Sequence, residues 1–153
     1  MSYIIYEGPS VLDQKPIVVI LTEEGKSKNV KTGGMAQTYI LRSDIPPLEA
    51  VKTGEDVSIC GMCPHRPKLE GSCYVNVGQG PSAIYRAYKA GRYEHKYPWL
   101  VGIDEMIRIG SYGDPGAVPP GIWFSLIENA KGWTEGTCPE WAINELPWPF
   151  KIA

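Results

Sequence analysis

Pro16-Ile17-Val18-Val19-Ile20-Leu21-Thr22, PIVVILT in one-letter code, is an unbroken apolar run rich in β-branched side chains. Proline bounds it on one side and the polar loop EEGKSKNVKTGG on the other. A half-exposed strand alternates apolar and polar residues, whereas this run has no face to give to water. It reads as a buried strand, and so sets the fold class. Beyond the loop, Ala36 to Arg42 (AQTYILR) reads as a second strand and Met106 to Tyr112 (MIRIGSY) as a third. Pro46 to Lys52 (PPLEAVK) follows Asp44 and opens with prolines, so a short helix with an acidic cap is expected there. Pro81 to Ala90 (PSAIYRAYKA) sets Ile84, Tyr85 and Tyr88 at helical spacing and stops at Gly91. Pro119 to Lys131 (PPGIWFSLIENAK) predicts an amphipathic helix with Ile122, Trp123, Leu126, Ile127 and Ala130 on one side. Strands alternating with helices imply an α/β fold with a mixed or largely parallel sheet and flanking helices. The tail WTEGTCPEWAINELPWPFKIA is expected to pack over the core as an irregular cover, and no repeat or low-complexity linker interrupts the chain.

With 153 residues the chain can bury a sizeable core without staples, and a single domain over 1–153 is expected. Its formal net charge of -2 argues against a strongly basic surface, although a local basic groove for nucleic acid stays open. The opening MSYIIYEGPSVLDQKP has no basic region followed by an apolar run, and no apolar stretch is long enough to cross a bilayer. The expected location is the cytoplasm, with no membrane partner.

A reducing compartment changes the meaning of the thiols. There, clustered cysteines are more often ligands or catalysts than disulfides, although an even number keeps disulfide pairing open. Cys60 and Cys63 form a C-x2-C pair, a spacing that aims two sulfurs at one centre at about 2.3 Å. Cys73 follows a loop containing Pro64, Pro67 and Gly71, residues that bend the chain back. Structural zinc calls for a second knuckle or a histidine pair, and neither is complete here, His65 standing too close behind Cys63. A [4Fe-4S] cluster accepts scattered cysteines and can be held by three, with the last iron open or bound by another residue. The spacing favours the cluster over zinc, with ordinary buried cysteines as the structural alternative. Cys138, in Gly136-Thr137-Cys138-Pro139, is the candidate fourth ligand or a thiol packed under the tail.

Other candidates concern a substrate. Asn29 and Lys31, in SKNVKTGG, could donate to an anion from a glycine-rich nest; Val30 stands where a phosphate-binding loop needs glycine, and the bland alternative is a solvated connector. Asp114 follows the carboxyl end of a strand, where α/β folds place ligands, but Asp-Pro is also an ordinary helix-start signal. His95 is expected to be exposed, and His65 could orient a ligand or donate to a sulfur.

The segments SKNVKTGGMAQTYIL, TGEDVSICGMCPHR, SCYVNVGQGPSAIYRAYKAGRY and IRIGSYGDPGAVPPGIW with KGWTEGT, taken in order, resemble the phage family known as gene product eighty-eight. The resemblance runs from about Gly8 to Trp141. It implies a phage or prophage origin and a three-cysteine cluster, matched by Cys60, Cys63 and Cys73, and it implies no reaction. Where the family has a Thr-His pair this chain has Thr137-Cys138, an exchange of metal-binding residue types that fits a ligand there, although EGTCPEW departs from the pattern. A looser likeness, through Cys73-Tyr74 and IRIGSYGDP, joins the chain to larger phage-associated proteins similar to radical S-adenosylmethionine enzymes. C-x3-C-x2-C is absent and the chain is short for a full barrel, so this likeness implies a partial α/β barrel and not radical chemistry.

Three functions follow as expectations. One is a cluster enzyme whose open iron acts as a Lewis acid or in sulfur chemistry on a small-molecule substrate contacted by Asn29, Lys31 and Asp114. Another is an electron-transfer or redox-sensing protein with a closed four-cysteine cluster. The third is a zinc-stabilised phage module that binds a host protein or nucleic acid through its tyrosines and tryptophans.

Overall fold

The computed structural model describes residues 1–23, 35–61 and 78–135. In chain order the elements are β1 (Ser2–Pro9), β2 (Pro16–Thr22), β3 (Ala36–Arg42), α1 (Pro47–Thr53), α2 (Val57–Cys60), α3 (Gly80–Lys89), β4 (Glu94–His95), β5 (Met106–Tyr112), α4 (Pro120–Ile127) and β6 (Gly132–Glu135). Short 3-10 turns at Pro98–Leu100 and Pro115–Ala117 precede and follow β5.

The strands form one mixed sheet in the order β4-β1-β2-β3-β5-β6. β2 pairs antiparallel with both β1 and β3, whereas β1–β4, β3–β5 and β5–β6 are parallel. Among the described residues the sheet is open, with β4 and β6 at its margins. Ile17 to Leu21 of β2 are each 0 % exposed, as the lack of alternation predicts. Burial of such a side chain stabilises the fold by roughly 1.5–3 kcal/mol, and five in succession make β2 the centre of the core. The core continues through Ile40 and Leu41 of β3 and Ile107 and Ile109 of β5 to Trp123 and Leu126 of α4. α1, α2 and α3 all pack on β3, and α4 packs on the Pro98–Leu100 turn.

Thr38 sets the register between β3 and β5. Its hydroxyl donates to the Arg108 carbonyl at 2.9 Å and accepts from Gly110 N at 2.8 Å. Gln37 pairs with Arg108, but Tyr39 already pairs with Tyr112, so β5 carries extra residues in a bulge at this point. Gly110 has φ +76, and a β-carbon there would lie 2.8 Å from the Pro115 ring. Only glycine fits without strain.

Three local expectations change. Asp44 does not cap α1, whose N-cap is Pro46 with no side-chain hydrogen bond. Its carboxylate is instead taken by Arg42, with Nε–Oδ1 and Nη2–Oδ2 both 3.0 Å. The final helix ends at Ile127, short of Lys131, because the following backbone is bonded elsewhere: Asn129 O accepts from Asp104 N at 2.9 Å and Lys131 N donates to Glu105 O at 3.0 Å. That exit feeds β6, so Gly132–Glu135, the start of the stretch expected as irregular cover, is a parallel marginal strand, and the rest of that stretch lies outside the described residues. No helix of the described residues is long and apolar enough to cross a membrane.

Candidate metal centre

Cys60 closes α2, a helix of four residues. So short a helix has no stability of its own, because nucleation costs more than one turn of hydrogen bonds returns. Neighbouring elements hold it. From the β1–β2 turn, Ser10 Oγ donates to Ser58 O at 2.6 Å, and Ser58 Oγ donates to Asp13 Oδ2 at 2.6 Å. From the end of β3, Arg42 Nη1 donates to Ser58 Oγ at 3.2 Å. From the turn after β5, Asp114 N donates to Ile59 O at 2.6 Å. The β1–β2 turn is itself tied down, Leu12 N donating to Ser10 Oγ at 3.1 Å and Lys15 N to Asp13 Oδ1 at 3.0 Å.

Cys60 is half-buried and packs against the margin of the core. The next residue, Gly61, is the C-cap of α2 with φ 57 and ψ -137, a conformation that favours glycine and ends the helix. A cysteine at the end of a pinned helix, next to a helix-ending glycine, suits the first thiol of a C-x2-C pair. The donor chemistry of this residue fits a thiolate-ligated centre.

Asp114 is 1 % exposed. Its Oδ1 accepts from Gly116 N at 2.8 Å, so it caps the Pro115–Ala117 turn as the helix-start reading has it. Trp123 Nε1 donates to Pro115 O at 2.9 Å and fixes the same turn to α4. The structure thus brings two of the residues singled out from the sequence together: the backbone of Asp114 is bonded to the residue preceding Cys60. Cys63, His65 and Cys73 lie outside the described residues, as do Asn29, Lys31 and Cys138. Among the described residues no group of three or more His, Cys, Asp or Glu side chains is placed to hold a metal ion.

His95 is exposed, as expected, and its Nε2 lies 3.3 Å from Glu7 Oε1. The hydroxyl of Tyr88 donates to the other oxygen of that carboxylate. Sequence reasoning missed this cluster, because Glu7 lies 81 residues from Tyr88 and 88 from His95 and meets them only when β1 packs beside α3 and β4. It also missed Ser10, Asp13, Arg42 and Ser58, which no motif connects. At another surface the rings of Tyr97 and Trp99 stack at 4.5 Å and 7° while both remain exposed.

No family model, curated protein or solved structure matches the chain.

Proposed function

We propose that the chain is a phage-encoded iron–sulfur protein that holds a [4Fe-4S] cluster through Cys60, Cys63 and Cys73, with Cys138 as the candidate fourth ligand. The supporting observation is the hydrogen bond from Asp114 N to Ile59 O, which sets Cys60 beside the carboxyl end of β5. In open α/β sheets the carboxyl ends of parallel strands are where ligands bind.

Covalent reach allows the other thiols to meet Cys60 at one centre. Consecutive residues span at most about 3.6 Å each, so Cys63 is within about 11 Å of Cys60 and Cys138 within about 11 Å of Glu135. Glu135 pairs with Ile109 on β5, the strand that leads to Asp114. Cys73 is within about 18 Å of Gly78 by the same rule, and two residues later Gly80 opens α3 against the Tyr39 ring of β3. Cys60, Glu135 and the start of α3 thus all lie near β3 or β5.

When bound, such a cluster supplies one-electron transfer or, through an open iron, a Lewis acid for a small substrate. The chain's own part is to present Cys60 from a fixed turn, to keep that thiol half out of water, and to hold the adjoining Asp114 turn rigid. Asn29 and Lys31 remain the proposed anion donors for the substrate of an open-iron enzyme.

The test is anaerobic purification followed by iron, acid-labile sulfide and zinc assays and an electron-resonance spectrum. Iron and sulfide in equal amounts, with a cluster signal after reduction, are expected. Zinc without sulfide would move the chain to the zinc-module reading, and protein free of all three would end the metal proposal.

A further inference from the structure

We propose that the C-terminal segment 146–151, LPWPFK, docks on the apolar surface made by Tyr97, Trp99, Leu100, Ile103 and Phe124, so that the chain covers this face with its own end. Residues 136–153 lie outside the described residues, and the inference rests on the described surface and on the chemistry of that sequence.

Eight large apolar side chains are exposed among the described residues, and five of them belong to this one place. Scattered singly they would need no partner, whereas gathered they mark a surface that binds something. The surface is also fixed. Tyr97 and Trp99 stack on each other, and α4, which carries Phe124, packs on the Pro98–Leu100 turn. Asn129 Nδ2 donates to Trp99 O at 3.4 Å and Asn129 O accepts from Asp104 N at 2.9 Å, which ties the turn to the exit of α4.

The same exit leads to the C-terminal end of the chain. Glu135 follows Asn129 by six residues and so lies within about 22 Å of it, whereas the twelve residues from Glu135 to Pro147 span up to about 43 Å. The segment therefore reaches the surface with length to spare. Its composition fits: Leu146, Trp148 and Phe150 supply apolar area, and Pro147 and Pro149 reduce the entropy lost when it is ordered against aromatic rings. Its charge fits as well. Asp104 and Glu128 are exposed and Glu105 is half-buried at this end of the molecule, against an exposed Lys131, while the ammonium of Lys96 is turned onto the Tyr3 ring at 4.6 Å. Lys151 directly follows Phe150 and brings a cation to that acidic rim. A rim pair of this kind adds little energy but sets which way the segment lies.

The experiment uses the full chain and compares the wild type, Trp99→Ala, Trp148→Ala, the double variant and Leu48→Ala, Leu48 being an exposed apolar residue on α1. It reads the rate at which trypsin cuts after Lys151, seen as loss of the last two residues in the mass, and nuclear Overhauser contacts from the Trp99 indole to the ring protons of Pro147, Pro149 and Phe150. Those contacts are expected in the wild type. Trp99→Ala and Trp148→Ala each speed the cut about 10-fold, since either removes a buried aromatic from the docked state. The double variant adds nothing further, because both changes release the same segment. Leu48→Ala is cut at the wild-type rate. Absence of the contacts in the wild type, or equal cutting of wild type and Trp99→Ala, overturns the proposal and leaves the surface to another partner. Contacts that appear only between labelled and unlabelled copies assign the surface to a second chain, which also overturns it. Should Trp99→Ala not fold, Trp148→Ala decides: the Trp99 indole signals shift and the cut quickens, or the proposal falls. None of these readouts needs a metal, so the outcome stands apart from the cluster proposal.

Discussion

The hydroxyl of Tyr88 on α3 donates to the carboxylate of Glu7 on β1, joining a helix to the sheet near its β4 margin. This bond, more than the contact with His95, holds the Glu7 carboxyl below its ordinary range, against a smaller opposing effect of burial. Burial, then the hydrogen bond to Glu7 and the charge of that carboxylate, push the Tyr88 phenol well above its ordinary value.

The two shifts act at opposite ends of the pH scale. Glu7 titrates lower when folded, so its contribution is complete above the ordinary glutamate range and is lost as pH falls through the lowered value. Tyr88 titrates higher when folded, so its contribution is complete below the ordinary tyrosine value of 10.0 and is lost as pH rises beyond it. Tyr88→Phe is expected to raise the Glu7 midpoint in a carboxyl NMR titration, to flatten the alkaline loss of stability, and to cost about 1 kcal/mol or less near neutrality. An unmoved Glu7 midpoint would show that the bond does not form in solution.

Substitution of the cysteines separates the ligand roles. On the proposed ligation, Cys60→Ser should remove most of the cluster absorbance, since one of the three proposed thiolate ligands is lost. Cys138→Ser should retain the cluster with an altered electron-resonance signal, because three cysteines suffice to hold a cube. An unaltered signal in Cys138→Ser would take that residue out of the ligand set and favour an iron open to substrate.

Thr38 and Gly110 give a test of the sheet that is independent of any metal. Thr38→Val keeps the side-chain shape but deprives the Arg108 carbonyl and Gly110 N of their shared partner, a loss of about 1–3 kcal/mol. Gly110→Ala should cost about 1–3 kcal/mol, because φ is +76 and the new methyl meets the Pro115 ring. Denaturant unfolding measures both, and a midpoint change without a slope change is expected.

The strands legible in the sequence were those whose own residues demanded burial. β2, β3 and β5 start and stop where their apolar runs do. β1 carries a comparable signal in Tyr3, Ile4 and Ile5, all buried, which a reading for leader sequences passes over. β4 has two exposed residues and exists through its backbone pairing with β1, so no side-chain pattern announces it. α2 is similar, a single turn set by bonds from residues as distant as Ser10 and Asp114. The antiparallel pairing of β1, β2 and β3 was equally hidden, because alternating strands and helices describe only the half of the sheet built from β3, β5 and β6. At the site, the C-x2-C spacing singled out Cys60, but the serine and arginine that hold its helix come together only in the folded chain.

The division of the sheet also bears on the order of assembly. β1, β2 and β3 are consecutive and pair across short separations, so their closure entropy is small and they can form as soon as they are made. β5 joins β3 only after α1, α2, α3 and β4 have intervened, which makes that pairing, like β1–β4, a late step by topology. Asp114 arrives with β5, so the Ile59 carbonyl waits for its last partner until the late step is complete. A nascent chain would thus complete the surroundings of Cys60 only near the end of folding, after the docking of β5.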